Sequence, residues 1–481
     1  MTRNLSDFSF FSAPILLLTP ASPDFLFNLT SDDPAIYHPQ QWDGAKSVPR
    51  TLIQPVQQKM KFLSLSERRP DKSERGDSCR LADAREVRRR RSAFGRKNTM
   101  NRLILLLTLL VAAVWFSGIE AQGPLFAPAP GSPFPVAPGP GRVITGDIDN
   151  DGHLDIVLAQ GQSRAVTALL GNGSGVFTSA AGRRVGFGYP PGEMALGDVN
   201  NDGMLDLGVA THDSYDVDIL LGDGKKGFKT APGSPLTASA GVRAHTHGFA
   251  FVDVNKDRNL DIITANNEDN NIAVLLGDGR GRFTRAPGSP FAVGARPYPF
   301  GVGDINGDGN LDVVTPSSVP DGRTVTLMSG DGKGGFKEAP GSPVPVPPTP
   351  YFVALGDLNG DRYLDIAASH DDRDLVTILL NDGKGKFIPA SGSPYRLGSR
   401  AFELIAADVN RDTKTDLVAA TGNGVTVLLG NGHAFVAAPG SPFRAGPGNW
   451  RLALGDLNED GKIDIATSNL EGNSVTVLLG N

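Results

Sequence analysis

A nine-residue pattern, Asp-x-Asn/Asp-x-Asp-x-x-x-Asp with glycine commonest at position 6, constrains this chain more than any other feature. It recurs seven times, starting at Asp147, Asp198, Asp253, Asp304, Asp357, Asp408 and Asp456. Successive starts lie 51, 55, 51, 53, 51 and 48 residues apart. A period near fifty, carried by short apolar runs and glycine turns, marks an array of small units that bury their apolar faces only against their neighbours.

Each unit reads as four short strands. In the first repeat these fall over 142–146, 154–158, 165–170 and 176–179. The third ends in a paired apolar step such as Leu169-Leu170, followed by a hairpin turn of the kind seen at Gly277-Asp-Gly279. Four strands per unit of this length make a propeller blade. A phenylalanine follows each turn, at Phe177, Phe228, Phe283, Phe336, Phe387 and Phe435, and Phe126 stands before the first loop. In six of seven cases the next leading aspartate comes 21 residues later, and in the third repeat 25. Ala-Pro-Gly-Ser-Pro follows several of these phenylalanines, as at Ala231, Ala286, Ala339 and Ala438. The last repeat ends at Asn481, before its phenylalanine, and the missing strand is present near 124–129. The expected fold is therefore all-β: a seven-bladed β-propeller closed by an N-terminal strand, which leaves no open sheet edge.

Oxygen-bearing side chains at alternate positions of a tight turn converge on one point. At this density they suit Ca²⁺, which takes about six to eight oxygens at about 2.3–2.6 Å. The candidate ligands are Asp147, Asp149, Asp151 and Asp155; Asp198, Asn200, Asp202 and Asp206; Asp253, Asn255, Asp257 and Asp261; Asp304, Asn306, Asp308 and Asp312; Asp357, Asn359, Asp361 and Asp365; Asp408, Asn410, Asp412 and Asp416; and Asp456, Asn458, Asp460 and Asp464. The loop begins like an EF-hand but lacks its closing glutamate: Leu158, Val209 or Thr315 stands there, inside an apolar run that leads into a strand. An Asx-rich turn without an ion is the other reading. Repulsion among clustered carboxylates favours the ion. Position 6 is glycine in four loops and Arg258, Arg362 or Thr413 in the others. A left-handed backbone costs most at threonine, so the Asp408 loop is expected to bind most weakly.

This pattern resembles the FG-GAP/VCBS-type repeats of integrin α-subunit propellers, some lectins and many secreted bacterial proteins. The resemblance covers about 124–481. It implies Ca²⁺ in the loops at the positions named above, while the departures at Arg258, Arg362 and Thr413 set those three sites apart. The family spans many functions, so it does not supply a ligand.

Residues 1–99 show no repeat and are read as disordered or as lying upstream of the true start at Met100. Met100-Asn-Arg102 and the apolar run 103–118 have the form of a signal peptide over 100–121, with cleavage before Gln122. Uncleaved, the segment would anchor the chain in a membrane. The propeller then spans 122–481, secreted or held at the cell surface or in the periplasm, and is expected to be a monomer. Removing the leader also removes Cys79, the one cysteine. Lys plus Arg against Asp plus Glu is 18 to 12 over residues 1–121 and 28 to 40 over the remainder. An acidic repeat region disfavours nucleic acid as a partner and matches a chain that carries cations.

Strand order puts the acidic loops and the Gly-Asp-Gly turns at one end of the ring. At the other end, six residues before each leading aspartate, stand Gly141, Gly192, His247, Tyr298, Tyr351, Phe402 and Trp450, with Arg296, Arg400 and Arg451 nearby. Aromatic faces beside Asn, Asp and Arg suit a glycan or an extracellular surface protein. Packing of these rings on one another over the central channel is the competing reading. His245-Thr-His247 offers two imidazoles at i, i+2, a spacing that can bind a transition metal; a plain surface loop is the reading favoured for it. No nucleophile triad, phosphate loop or paired carboxylates stand outside the acidic loops. The expected function is thus a non-catalytic binding or adhesion module. A lyase-like enzyme acting on polysaccharides and a structural matrix protein are the alternatives.

Overall fold

A computed structural model describes residues 123–180, 184–225, 227–238, 245–319 and 321–481. The leader readings for 1–99 and 100–121 lie outside the described residues. Described secondary structure is strand and turn, without helix, arranged as seven antiparallel sheets.

The first blade runs outward from Pro140–Gly146 through Asp155–Gln160 and Ala165–Gly171 to Phe177–Ser179. The other blades repeat this order. The last is composite: Asn449–Gly455, Asp464–Asn469 and Ser474–Gly480 are joined by Phe126–Pro128, in the register Phe126↔Gly480 and Pro128↔Leu478. The innermost strand of this sheet lies beside that of the first blade, where the Thr145 hydroxyl donates to the Leu454 carbonyl at 3.0 Å.

The second strand of every blade is buried at every position, from Asp155–Gln160 to Asp464–Asn469. It is covered on both faces by neighbouring blades, which is why it reads as an apolar run and not as an alternation. Phe249, Phe300 and Phe352 are among the largest fully buried side chains: Phe249 packs toward Gly208 of the second blade, Phe300 toward Gly248 of the third, and Phe352 joins the core shared by the fifth and sixth blades.

Two repeat motifs have structural roles that the sequence alone did not reveal. The residue after each third strand's apolar pair faces the first residue of the outermost strand, as in Gly171↔Phe177 and Gly277↔Phe283. A Cβ on Gly171 would meet the Leu154 carbonyl oxygen at 2.1 Å, so glycine suits this close backbone approach; the fifth blade instead carries Asn381, whose side-chain amide donates to the Leu364 carbonyl at 3.0 Å. In the Pro-Gly-Ser-Pro motif the Ser–Pro bond is cis, as at Ser289-Pro290. The serine hydroxyl then accepts a third-strand N–H: Val274 N donates to Ser289 Oγ at 2.8 Å, and Val477 N to Ser132 Oγ at 2.9 Å. A fifth, two-residue strand follows in six of the seven sheets, for example Phe291–Ala292 on Asn271–Gly277. The four-strand reading missed it because two residues carry no detectable period.

Candidate functional site

Each acidic loop is a web of side-chain to backbone bonds between the first and second strands. In the first, Asp147 accepts the N–H of Asp151 on Oδ1 at 3.1 Å and that of Gly152 on Oδ2 at 2.9 Å. Asp151 Oδ1 accepts the His153 N–H at 3.0 Å. The same bonds recur around Asp304, where Asp308 N and Gly309 N donate at 3.2 and 2.7 Å. Position 6 is left-handed in all seven loops, with φ of 71° at Arg258, 76° at Arg362 and 67° at Thr413. Position 4 is left-handed as well, as at Asn150, Lys256 and Arg411, a second constraint that the glycine pattern did not announce.

The ninth-position aspartate clamps the loop to the rest of its blade. Asp155 Oδ2 accepts the Ile148 N–H at 3.0 Å and Oδ1 the Gly171 N–H at 2.8 Å. Asp206, Asp261, Asp312, Asp365, Asp416 and Asp464 repeat both bonds. Burial pushes these carboxyls up against the pull of the two backbone donors, and the other loop carboxylates add to the rise. Asp155, Asp312, Asp365 and Asp416 reach about 7, and Asp206, Asp261 and Asp464 about 6. Each loop therefore concentrates negative charge that its own donors do not neutralise.

These residues fit a hard cation. One carboxylate oxygen from each of Asp147, Asp149 and Asp151 lies within 4.8 Å of the others. That is the spread of oxygens sharing one ion at about 2.4 Å. In five of the loops with asparagine at position 3, its amide turns toward the position 5 carboxylate, as Asn200 Nδ2 does to Asp202 Oδ2 at 2.9 Å. Asn306 turns instead to Asp312 Oδ2, at 3.0 Å. The first loop, with aspartate there, carries one more charge.

The loops also latch adjacent blades. Gly175 N, in the first blade's turn, donates to the Leu457 carbonyl of the last blade's loop at 3.1 Å. Gly281 N and Asn381 Nδ2 reach Val199 O and Ile305 O in the same way, at 3.0 and 2.7 Å.

At the opposite end the aromatic positions form a nearly continuous stack. His247 and Tyr298 stack at 4.4 Å between centroids, and Tyr298 and Tyr351 lie at 5.0 Å. The Arg400 guanidinium sits 5.4 Å from the Tyr351 ring and 4.9 Å from that of Phe402. Phe402 meets Trp450 at 4.5 Å, and Arg451 lies 5.5 Å from the Trp450 ring. Gly141 and Gly192 interrupt the arc at the first two blades. Tyr298, Phe402 and Trp450 are half-buried, whereas His247 and Tyr351 are buried and back the others. His247 also corrects the surface-loop expectation: it lies fully buried on the strand Thr246–Val252, and His245 just before it is half-buried.

Sequence reasoning missed a buried charge cluster one residue farther along the same strands. Arg142 pairs with Glu403 and stands 3.7 Å from Glu193, and all three are almost wholly buried. Glu403 Oε2 also accepts the Leu452 N–H at 2.6 Å. The available signal was a charge five residues before a leading aspartate, at Arg142, Glu193, Glu403 and Arg451, in otherwise apolar strands.

The family model described as FG-GAP-like repeat matches residues 147–209, 198–264, 253–315, 357–419 and 408–467. A search of curated proteins finds no sequence match. Among solved structures, the chain is similar to BBS1N crystallised in complex with ARL6DN. Against the mercury-soaked form the TM-score is 0.55 at 14% identity, covering 75% of this chain and 98% of that one. Against the lead-soaked form it is 0.52 at 13%, with the same coverage. An Agrocybe aegerita lectin described as recognising non-reducing terminal N-acetylglucosamine aligns at TM-score 0.43 and 20% identity, over 70% of this chain and 86% of the lectin.

Proposed function

This chain belongs to the FG-GAP-like repeat family, and from that premise we propose that it is an exported, Ca²⁺-loaded propeller acting as a non-catalytic binding module. Its ligand is a glycan or an extracellular surface protein, taken at the end of the ring opposite the acidic loops. The fold is one consistent with binding. The observation that carries the choice of face is the arc of Tyr298, Phe402 and Trp450, half-exposed and braced by Arg400 and Arg451. Rings held by their neighbours lose little freedom when a ligand covers them. Asp371 pairs with Arg400 on the same face, so hydrogen-bonding groups flank the rings.

Ca²⁺ would be held by the side-chain oxygens of the seven loops. It would neutralise the charge gathered there and brace the strand connections, leaving the opposite face for recognition.

Trp450 is the one tryptophan in residues 122–481, so its fluorescence reports on this face alone. An array of glycans and extracellular proteins, probed in Ca²⁺ and again in EDTA, is expected to yield a ligand that shifts Trp450 emission and whose binding Trp450→Ala weakens. A ligand that binds without moving that emission and is insensitive to Trp450→Ala would place recognition elsewhere.

A further inference from the structure

Apart from the acidic loops, three histidines of the second and third blades converge at the opposite end of the ring. His212 follows the strand Asp206–Thr211, His245 precedes Thr246–Val252, and His247 lies on that strand. Ring centroids are 4.3 Å apart for His212 and His245, 5.0 Å for His212 and His247, and 4.2 Å for His245 and His247. One nitrogen from each ring lies within 4.8 Å of the other two. Nitrogens ligating one tetrahedral Zn²⁺ at about 2.0–2.1 Å sit about 3.4 Å apart, so a nitrogen pair at the outer limit needs to close by about 1.4 Å.

Packing alone does not account for His247. Its side chain is fully buried, and neither ring nitrogen has a hydrogen-bond partner among the described residues. A buried polar group is costly unless something meets it. His212 is oriented by its neighbour, since its Nδ1 lies 2.8 Å from Asp213 Oδ1. A carboxylate can only accept, so Nδ1–H donates and the lone pair is left on Nε2. A carboxylate behind a histidine is the usual outer support of a histidine–metal bond.

We propose that His212, His245 and His247 form a binding site for a transition-metal dication of the Zn²⁺ class, chemically distinct from the acidic loops. Imidazole nitrogens select Zn²⁺ and its neighbours, whereas carboxylate and amide oxygens select Ca²⁺. Three protein ligands leave a coordination position for water or for an oxygen of a bound ligand.

The test is calorimetric titration of Zn²⁺ into the full chain, stripped with EDTA and returned to excess Ca²⁺, with Co²⁺ as a visible-absorbance substitute. One Zn²⁺ per chain is expected, unaffected by Ca²⁺, together with a Co²⁺ spectrum. His245→Gln and His212→Gln are each expected to weaken binding by more than about 100-fold, and Asp213→Asn, at an exposed position, by about 10–100-fold. Circular dichroism on each variant checks the fold. His247→Gln is not needed, so the outcome does not depend on substituting a core residue. Zinc uptake that Ca²⁺ abolishes, uptake that survives both histidine substitutions, or no uptake at all would overturn the site. None of these outcomes bears on whether the acidic loops hold Ca²⁺.

Discussion

At the scale of single residues, strain and buried charge give the clearest expectations. Thr413 holds a left-handed backbone at φ 67° in the Asp408 loop. Such a residue costs about 1–3 kcal/mol, and glycine returns part of that through its unfolded-state entropy. Thr413→Gly is therefore expected to stabilise the chain by about 0.5–1 kcal/mol and to tighten ion binding there, read by denaturant unfolding and Ca²⁺ titration. Loss of stability would show that the Thr413 hydroxyl, which donates to the Asp412 carbonyl at 2.6 Å, outweighs the backbone term. Glu403→Gln leaves buried Arg142 without its ionic partner, a change that costs about 3–5 kcal/mol. A loss below about 1 kcal/mol would mean that Glu193 takes over the pairing. The acidic loops were legible in the sequence because every oxygen-bearing position is Asp or Asn at fixed spacing. The Arg142–Glu193–Glu403 cluster was not, because its members come from three blades and meet only around the axis.

At the scale of elements, the glycine that closes the third strand sits against backbone with no room for a Cβ, whereas the fifth blade is built around Asn381 at that position. A Cβ on Gly277 would lie 2.2 Å from the Leu260 carbonyl oxygen. Gly277→Ala is expected to destabilise by at least the about 1–3 kcal/mol typical of overpacking, measured as a fall in the unfolding midpoint, whereas a neutral effect would mean that the strand shifts freely. Ser289→Ala removes the acceptor for the Val274 N–H and is expected to cost about 1–3 kcal/mol. Strand number and order were readable because apolar pairs, glycine turns and phenylalanines recur in phase. The two-residue strands were not, and neither was the serine's role. Both depend on a tertiary pairing that a local pattern does not encode.

At the scale of the whole molecule, the seven loops act as one titrating system. Their ninth-position carboxyls sit near 6 to 7 in the folded chain, against about 3.9 when unfolded. In EDTA the folded state thus binds more protons between about pH 4 and pH 7, so these groups make stability fall as pH rises through that window. Ca²⁺ requires the deprotonated form, so the stabilisation it confers is expected to grow over the same range. Melting temperatures across pH, with EDTA and with Ca²⁺, check both signs, and a pH-independent gap between the two curves would contradict them.

The central claim is that the repeated acidic turns hold divalent cations that brace the ring. It is tested most directly by titrating Ca²⁺ into the EDTA-stripped chain while following thermal unfolding and counting bound ions by calorimetry. The expected result is several ions per chain, the weakest at the Asp408 loop, with a melting temperature that climbs with Ca²⁺ concentration as ligand linkage requires. A chain that takes up no Ca²⁺ and melts at the same temperature throughout would contradict the account.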